Sequence, residues 1–433
     1  MHWNRLYSFK SYIRSSLWII PVFALLAQLV VTRLIHAIGQ WLRQAGYIDE
    51  RISLLGLGMS GARSLLETVI TLNISFTVFT FGSLLVAIQV ASGQYTPRII
   101  ATTLLRDNAI RFSVGFFVFT LLFSLRTLHQ LETTVHQFDT FLSALLGLSS
   151  LAIFLYLIDY AARMLRPVAI VQRVLKNGLE VIKELYPHPT GEEIPVPSHY
   201  TTGTPRRTVN HEGSSGVVLA VNLAGLVAHA QRVDGIIEFV PRVGDFVGVN
   251  EPLFLLYGGA EAINDRVLRE MVAFGTERTI EQDPTFAFRI LVDIANKALS
   301  PAINDPTTAT LAIDQLHRLL LWVGKRNLSG EEIKDSGGQL RVIFRTPNWE
   351  DFVQITFTEI RHYGAGNIQI ARRLRSMMEM LILSLPEHRH PALKKEFVLL
   401  DRTIEKHYAF PEDLALARVP DVQGIGSSRN VQQ

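Results

Sequence analysis

From Leu299 to Thr308 the chain reads LSPAINDPTT, which sets the hydroxyls of Ser300, Thr307 and Thr308 beside the Asn304 amide and the Asp305 carboxylate. Such groups, next to the free backbone amides at the start of a helix, can bind an anion or a phosphorylated headgroup. The same residues also make a corner. Ser300-Pro301 ends a helix, because the residue before proline avoids the helical region. Asp305-Pro306 restarts one, with an aspartate cap and a proline at the first helical position. An ionised Asp305 at that cap would repel an anion, so the residue types favour the corner over the site. Just upstream, ERTIEQDPT carries Arg278, Thr279, Gln282 and Asp283, and Asp283-Pro284 is a second cap signal. If these groups converge on the hinge, the two stretches together form one ligand pocket.

Two helices must position these residues. In the first, Ile290, Leu291, Ile294, Ala295, Ala298 and Leu299 form an apolar stripe, while Arg289, Asp293 and Lys297 recur every fourth residue and predict an ion-pair ladder. In the second, Ala309, Ala312, Ile313, Leu316, Leu319, Leu320 and Val323 form a face whose small members permit close packing on the first helix.

The chain around them has 433 residues, 48% of them hydrophobic, and no cysteine. Its length allows more than one domain, and its hydrophobicity predicts a membrane portion. Disulfides, thiolate nucleophiles and cysteine-based metal sites are excluded. The formal net charge of +3, not gathered into one basic run, gives no reason to expect a nucleic-acid partner.

Four stretches reach the roughly 20 apolar residues that a bilayer core requires. They run from about Leu17 to Ile38, Thr68 to Val90, Phe112 to Leu131 and Thr140 to Ala161. The first follows a basic flank without a small-residue cleavage site, and reads as a retained anchor. Basic residues gather at Arg5, Lys10 and Arg14, at Arg98, Arg106 and Arg111, and after the fourth span at Arg163, Arg166, Arg173 and Lys176. The positive-inside bias then places both termini in the cytoplasm. Only fourteen uncharged residues separate Arg111 from Arg126, so a span that reaches Leu131 carries Arg126 inside it. Arg33 is similarly placed in the first span. Both can snorkel, or pair with Glu67, Glu132 or Asp139. Alternatively, Arg33, Asn73, Gln89, Arg98 and Arg126 line a polar path.

Residues 1–166 are thus a four-helix transmembrane domain, and 167–208 a juxtamembrane helix with a proline-rich linker. A small β-rich module follows at 209–258, with a helix from Leu223 to Arg232, then a helical domain at 259–418 and a disordered tail at 419–433. The fold class is an α-helical membrane protein with a mainly α, α+β cytosolic domain. A further strand, Leu340 to Arg345, precedes a helix capped by Thr346.

Three motif matches fail on context. GLGMSGA has dinucleotide-fingerprint spacing but follows no strand and lies before a membrane span. VPRVGDFVGVNEPLF has the look of a carrier-domain hairpin, yet there is no lysine between Lys183 and Lys297 to hold the cofactor. His388 and His390 lack a third ligand for zinc. No metal, other cofactor or catalytic residue is expected, and neither is an enzyme.

The stretches GARSLLETVITLNISFTVFTFGSLLVAIQVASGQYTPRII, LLRDNAIRFSVGFFVFTLLFSLRTL, VGDFV and RTIEQDPTFAFRILVDIANKALSPAINDPTTAT resemble the bacterial membrane proteins grouped as domain of unknown function 2254. Arg98, Arg126, Arg278, Asp283, Ser300, Asn304, Asp305 and Pro306 correspond to recognisable motif positions. Val217 departs from the pattern, where an aromatic residue usually follows Ser-Gly, and Asp159-Tyr160 stands where a histidine pair is expected. The resemblance implies a multi-pass protein of the bacterial inner membrane and carries no established activity. Two functions are therefore expected to compete. The first is an oligomeric ion channel or transport-related protein gated or assembled by its cytosolic domain. The second is a membrane-tethered sensor or scaffold with a small ligand in the Arg278–Thr308 pocket. The partners are the lipid bilayer, further copies of the chain, and an ion or small ligand.

Overall fold

The computed structural model describes residues 3–16, 18–44, 56–95, 107–132, 137–164, 166–191, 203–328 and 332–426. The chain forms two compact units, one from Ile13–Gly93 and Ile100–Arg166, the other from Met1–Tyr12, Gln94–Ile99 and Pro167–Gln433.

The first unit is helical. Helix α1 (Trp3–Ser15), most of which belongs to the second unit, precedes the helices of the first, α2 (Ile19–Gln44), α3 (Met59–Gln94), α4 (Asn108–His129) and α5 (Gln137–Met164). Three helical segments are long and apolar enough to cross a membrane, Met59–Gly93, Asn108–His129 and Gln137–Met164. The first of the four expected spans falls on α2, whose described apolar stretch is only Ile19–Val31. That is shorter than the roughly 20 residues a bilayer core needs, so three of the four expected spans are found among the described residues. Packing in this unit puts small and hydroxylated residues inside. A Cβ on Gly147 would approach Val69 Cγ2 to 2.7 Å, and Thr120, Thr140, Ser143 and Ser150 are fully buried. Leucines and valines such as Leu85, Val86, Leu148 and Leu155 face outward. This is the arrangement expected where lipid surrounds the helices and close backbone approach holds them together. Asp107 caps α4 by accepting from the Ala109 and Ile110 amides, and Tyr160, at the position where the family pattern departs, donates to the same carboxylate.

The second unit combines two sheets with a helical layer. A five-stranded mixed sheet has the order β1 (Arg207–Asn210), β5 (Pro252–Gly258), β3 (Gly235–Phe239), β8 (Leu340–Phe344), β7 (Glu332–Lys334). Its pairs are antiparallel except β3 with β8, which run parallel with Ile237 opposite Val342. A three-stranded antiparallel sheet joins β4 (Phe246–Val247), β2 (Gly216–Val221) and β6 (Val272–Gly275). Ile237, Phe239, Leu253, Phe254 and Leu256 are fully buried between these strands and α7 (Leu223–Arg232). The β structure therefore draws in β6, β7 and β8 from beyond the 209–258 stretch. Strand β8 can do so because its alternating Leu340, Val342 and Phe344 are buried on one face.

The helical layer comprises α6 (Pro167–Leu185), α9 (Pro284–Ala298), α10 (Pro306–Gly324), α11 (Trp349–Gly364), α12 (Ile368–Ser384), α13 (His390–His407) and α14 (Pro411–Ala417), with the short α8 (Asp265–Arg269) following β5. Helices α9 and α10 bury their expected apolar faces, and Ala309, Ala312, Ile313, Leu316, Leu319, Leu320 and Val323 are all inaccessible. Gly178 of α6 permits a close approach to α9, since a Cβ there would meet Ala287 Cβ at 2.8 Å.

Two local expectations are corrected. The cap of α11 is Asn348, not Thr346, because Asn348 and Asp351 satisfy each other's backbone amides in a reciprocal box. The stretch Val419–Gly426 is held in place. Asp421, only 2% exposed, accepts from the amides of Gln423, Gly424 and Gly426, and Arg372 donates to the carbonyls of Val419 and Gly426. Its composition is that of a tail, but a buried arginine and a buried aspartate clamp it.

Candidate functional site

The residues expected in one pocket fall into two groups. Asp283 is the cap at the start of α9, and Ser300 follows its end. A helix of 15 residues places those ends about 22 Å apart, so Arg278, Thr279, Gln282 and Asp283 are separated from the hinge at Ser300–Thr308.

The hinge is a corner. Asp305 Oδ1 accepts from the Thr308 amide at 3.0 Å, and Oδ2 accepts from the Thr308 hydroxyl. The Ser300 hydroxyl donates to the Lys297 carbonyl. Asn304 adopts a left-handed backbone with φ of 46°, which asparagine tolerates better than most residues. Thr307 and Asn304 are exposed. The corner also meets Tyr95, the buried tyrosine of the YTPR motif, whose phenol is pushed up first by burial and then by the charge of Asp305. Two sequence motifs far apart in the chain thus lie together.

At the other end of α9 there is a pocket of about 370 Å³. Its walls come from the β3–β4 turn (Arg242, Val243, Asp245), from Arg278 and the first turns of α9 (Thr285, Arg289), and from α11 (Asp351, Gln354, Thr358, Glu359). Its charges are unequally satisfied. Arg289 pairs with Asp293 and grips Glu359 with both terminal nitrogens, and these partners hold its guanidinium protonated. Arg242 pairs with Asp351 at 2.9 Å. Arg278 forms no hydrogen bond or ion pair with any described residue, although its charge acts on Asp283. Of the ionised groups in the wall, Arg278 and Asp245 form no ion pair among the described residues, Asp245 accepting instead from the Arg242 backbone amide at 2.8 Å, and Gln354 and Thr358 line the same pocket.

Asp283 lies beneath this wall, 2% exposed. Its Oδ1 accepts from the Thr285 hydroxyl and the Phe286 amide, while Oδ2 is buried without a hydrogen-bond partner. Burial pushes the carboxyl above its ordinary range, against the opposing pull of Thr285, Arg278 and the backbone amides. Tyr186, also buried, donates to the Pro347 carbonyl at 3.0 Å, and its phenol is raised mainly by desolvation. Gln282 has a structural task, accepting from the Val221 amide at 3.0 Å and so tying the segment to β2. The Thr279 hydroxyl is buried without a partner.

Sequence reasoning did not find the α11 wall. Glu359 completes the cluster that Arg289 and Asp293 begin, whereas Lys297, placed in the ladder by its spacing, forms no ion pair among the described residues. The glycine-aspartate turn at Gly244-Asp245 was visible as a motif, but not its place beside Asp283.

In the helical unit, Asn73 is fully buried, its amide donating to the Val69 carbonyl while Oδ1 has no partner. Arg33 and Gln89 are exposed, and Arg98 lies outside the described residues. Arg126 is half-buried and makes no ion pair with a described residue, and Glu67 pairs instead with Arg63. Among the described residues no cluster of three or more histidines and carboxylates is placed to hold a metal ion.

Comparison with known proteins adds a family. The model of the family described as "Predicted membrane protein (DUF2254)" matches residues 14–380. Uncharacterised proteins of Mycobacterium bovis and Mycobacterium tuberculosis are each 24% identical over 430 residues, covering 95% of this chain and 81% of theirs. No solved structure matches.

Proposed function

We infer that this chain, which belongs to the DUF2254 family of predicted membrane proteins, is a membrane-anchored binding protein that takes a small anionic ligand in the Arg278 pocket. The observation that carries this reading is the pairing of the pocket's arginines: Arg242 and Arg289 are held by Asp351 and Glu359, Arg278 forms no ion pair with a described residue, and the third lining carboxylate, Asp245, is engaged by the Arg242 backbone amide. A cavity of about 370 Å³ is within the usual range for small-molecule sites. A ligand carboxylate or phosphate would meet a planar fork of donors there. The positive-inside bias puts this unit in the cytoplasm, so the ligand is a cytoplasmic solute and the membrane helices are the anchor.

The test is calorimetric titration of the full-length protein in neutral detergent with inorganic phosphate, a short dicarboxylate and a sugar phosphate. At least one should bind, and Arg278→Gln should abolish that binding while leaving the thermal midpoint unchanged. Equal binding by Arg278→Gln would refute the assignment.

A channel is the second reading. It draws on the buried, partnerless polar atoms of Asn73, Ser124, Thr140 and Ser143 in the helical unit and on the half-buried Arg126. Ion flux through reconstituted liposomes, changed in selectivity by Arg126→Gln, would promote it.

A further inference from the structure

A second cavity in the larger unit, about 780 Å³, lies between one face of α1 and the edge of the three-stranded sheet. Hydrogen bonds hold helix α1 beside it. The Tyr7 hydroxyl donates to Glu281 at 2.5 Å, and the Asn4 amide donates to the Glu270 carbonyl at 3.3 Å. The groove has an aromatic wall of Phe9, Tyr12 and Phe274, and a cationic end with Arg5 and Arg269. Phe9 and Tyr12 remain 56% and 53% exposed, so this wall is open and ready to bury apolar surface. Its charges are again unequal. Arg269 is offset by Glu212 at 2.8 Å and Asp265 at 3.3 Å, while the Arg5 guanidinium has no partner among the described residues.

We propose that this groove seats one anionic glycerophospholipid, its phosphate on Arg5 and its acyl chain along Phe9, Tyr12 and Phe274. Three observations favour a lipid over a soluble anion. A free anion would satisfy Arg5 but leave the aromatic wall exposed, whereas an amphiphile covers both. The cavity has about twice the volume of the Arg278 pocket. Tyr12 also lies seven residues before Ile19, where the apolar stretch of α2 begins, so the groove's wall is continuous in sequence with a membrane-seeking helix.

Native mass spectrometry of delipidated full-length protein, titrated with phosphatidylglycerol or phosphatidylcholine, tests this. One phosphatidylglycerol adduct should persist, and phosphatidylcholine should not replace it. Arg5→Gln should lower occupancy about fivefold, the weight of one basic side chain at an anionic lipid surface. Phe9→Ser should lower it independently. Lys10→Gln, which alters a residue outside the groove, and Arg278→Gln should leave the adduct intact, which separates this site from the proposed ligand pocket. Retention of the adduct by both Arg5→Gln and Phe9→Ser, or equal retention of phosphatidylcholine, would overturn the proposal. Complete displacement by glycerol 3-phosphate would also overturn it, because the site would then be one for a free anion.

Discussion

Gly244 lies against the Asp283 carboxylate, where a Cβ would overlap Oδ2 and come within 3.5 Å of the Arg278 guanidinium carbon. The glycine also has φ of +92°, a region that other residues rarely adopt. The β3–β4 turn can therefore close over Asp283 only because position 244 has no side chain. Closing it buries the carboxylate that caps α9 and brings Arg242 and Asp245 to the pocket wall.

Gly244→Ala should destabilise the protein by about 1–3 kcal/mol through backbone strain and overlap together. The two causes separate in a double-mutant cycle with Asp283→Ala, which removes the overlapping carboxylate and leaves the strain. The cost of Gly244→Ala should be smaller in that background. Equal costs would mean the two residues do not meet as described.

Asp283 should give stability a distinctive pH dependence. A carboxyl raised in the folded state makes the folded chain bind more protons than the unfolded chain, in the window between the ordinary and the folded pKa. Stability therefore falls as pH rises through that window. Asparagine can keep the cap through its side-chain oxygen but does not ionise. Thermal unfolding in detergent from about pH 4 to about pH 8 should show Asp283→Asn gaining on the native protein as pH rises. A constant difference would remove Asp283 as the titrating group.

At the hinge, Asp305→Asn should be mild, because an amide oxygen can still accept from the Thr308 amide. Asp305→Ala should cost about 1 kcal/mol. Chemical denaturation followed by circular dichroism distinguishes these outcomes. If Asp305→Asn were as damaging as Asp305→Ala, the carboxylate charge rather than the cap would be what the corner requires.

Arg126 and Glu67 should behave as independent residues, since Glu67 pairs with Arg63. The stability effects of Arg126→Gln and Glu67→Gln should add to within about 0.5 kcal/mol. Partial rescue of one by the other would show that the two side chains pair.

Local chemistry was legible in the chain wherever it acts over a few residues. Proline after aspartate announced the caps at Asp283 and Asp305, and both aspartates accept the expected amides. The heptad-like spacing from Ala309 to Val323 announced a buried face, and every residue of that face is inaccessible. Three of the four apolar runs announced helices able to cross a membrane. All of these follow from nearest-neighbour sterics and from periodicity, which a sequence carries openly.

Tertiary structure alone decided which of those local features meet. Nothing in the spacing of Arg289 and Asp293 pointed to Glu359, 70 residues on. Lys297, correctly spaced for the ladder, forms no ion pair among the described residues, and its neighbour Asn296 is the residue that donates to Glu359. Strand β8 joined β3 across a hundred residues because both bury alternating apolar side chains in one core. The expected single pocket came apart for an equally plain reason: Asp283 and Ser300 bracket a rigid helix, and a helix of 15 residues keeps its two ends about 22 Å apart whatever the chemistry at each end would prefer.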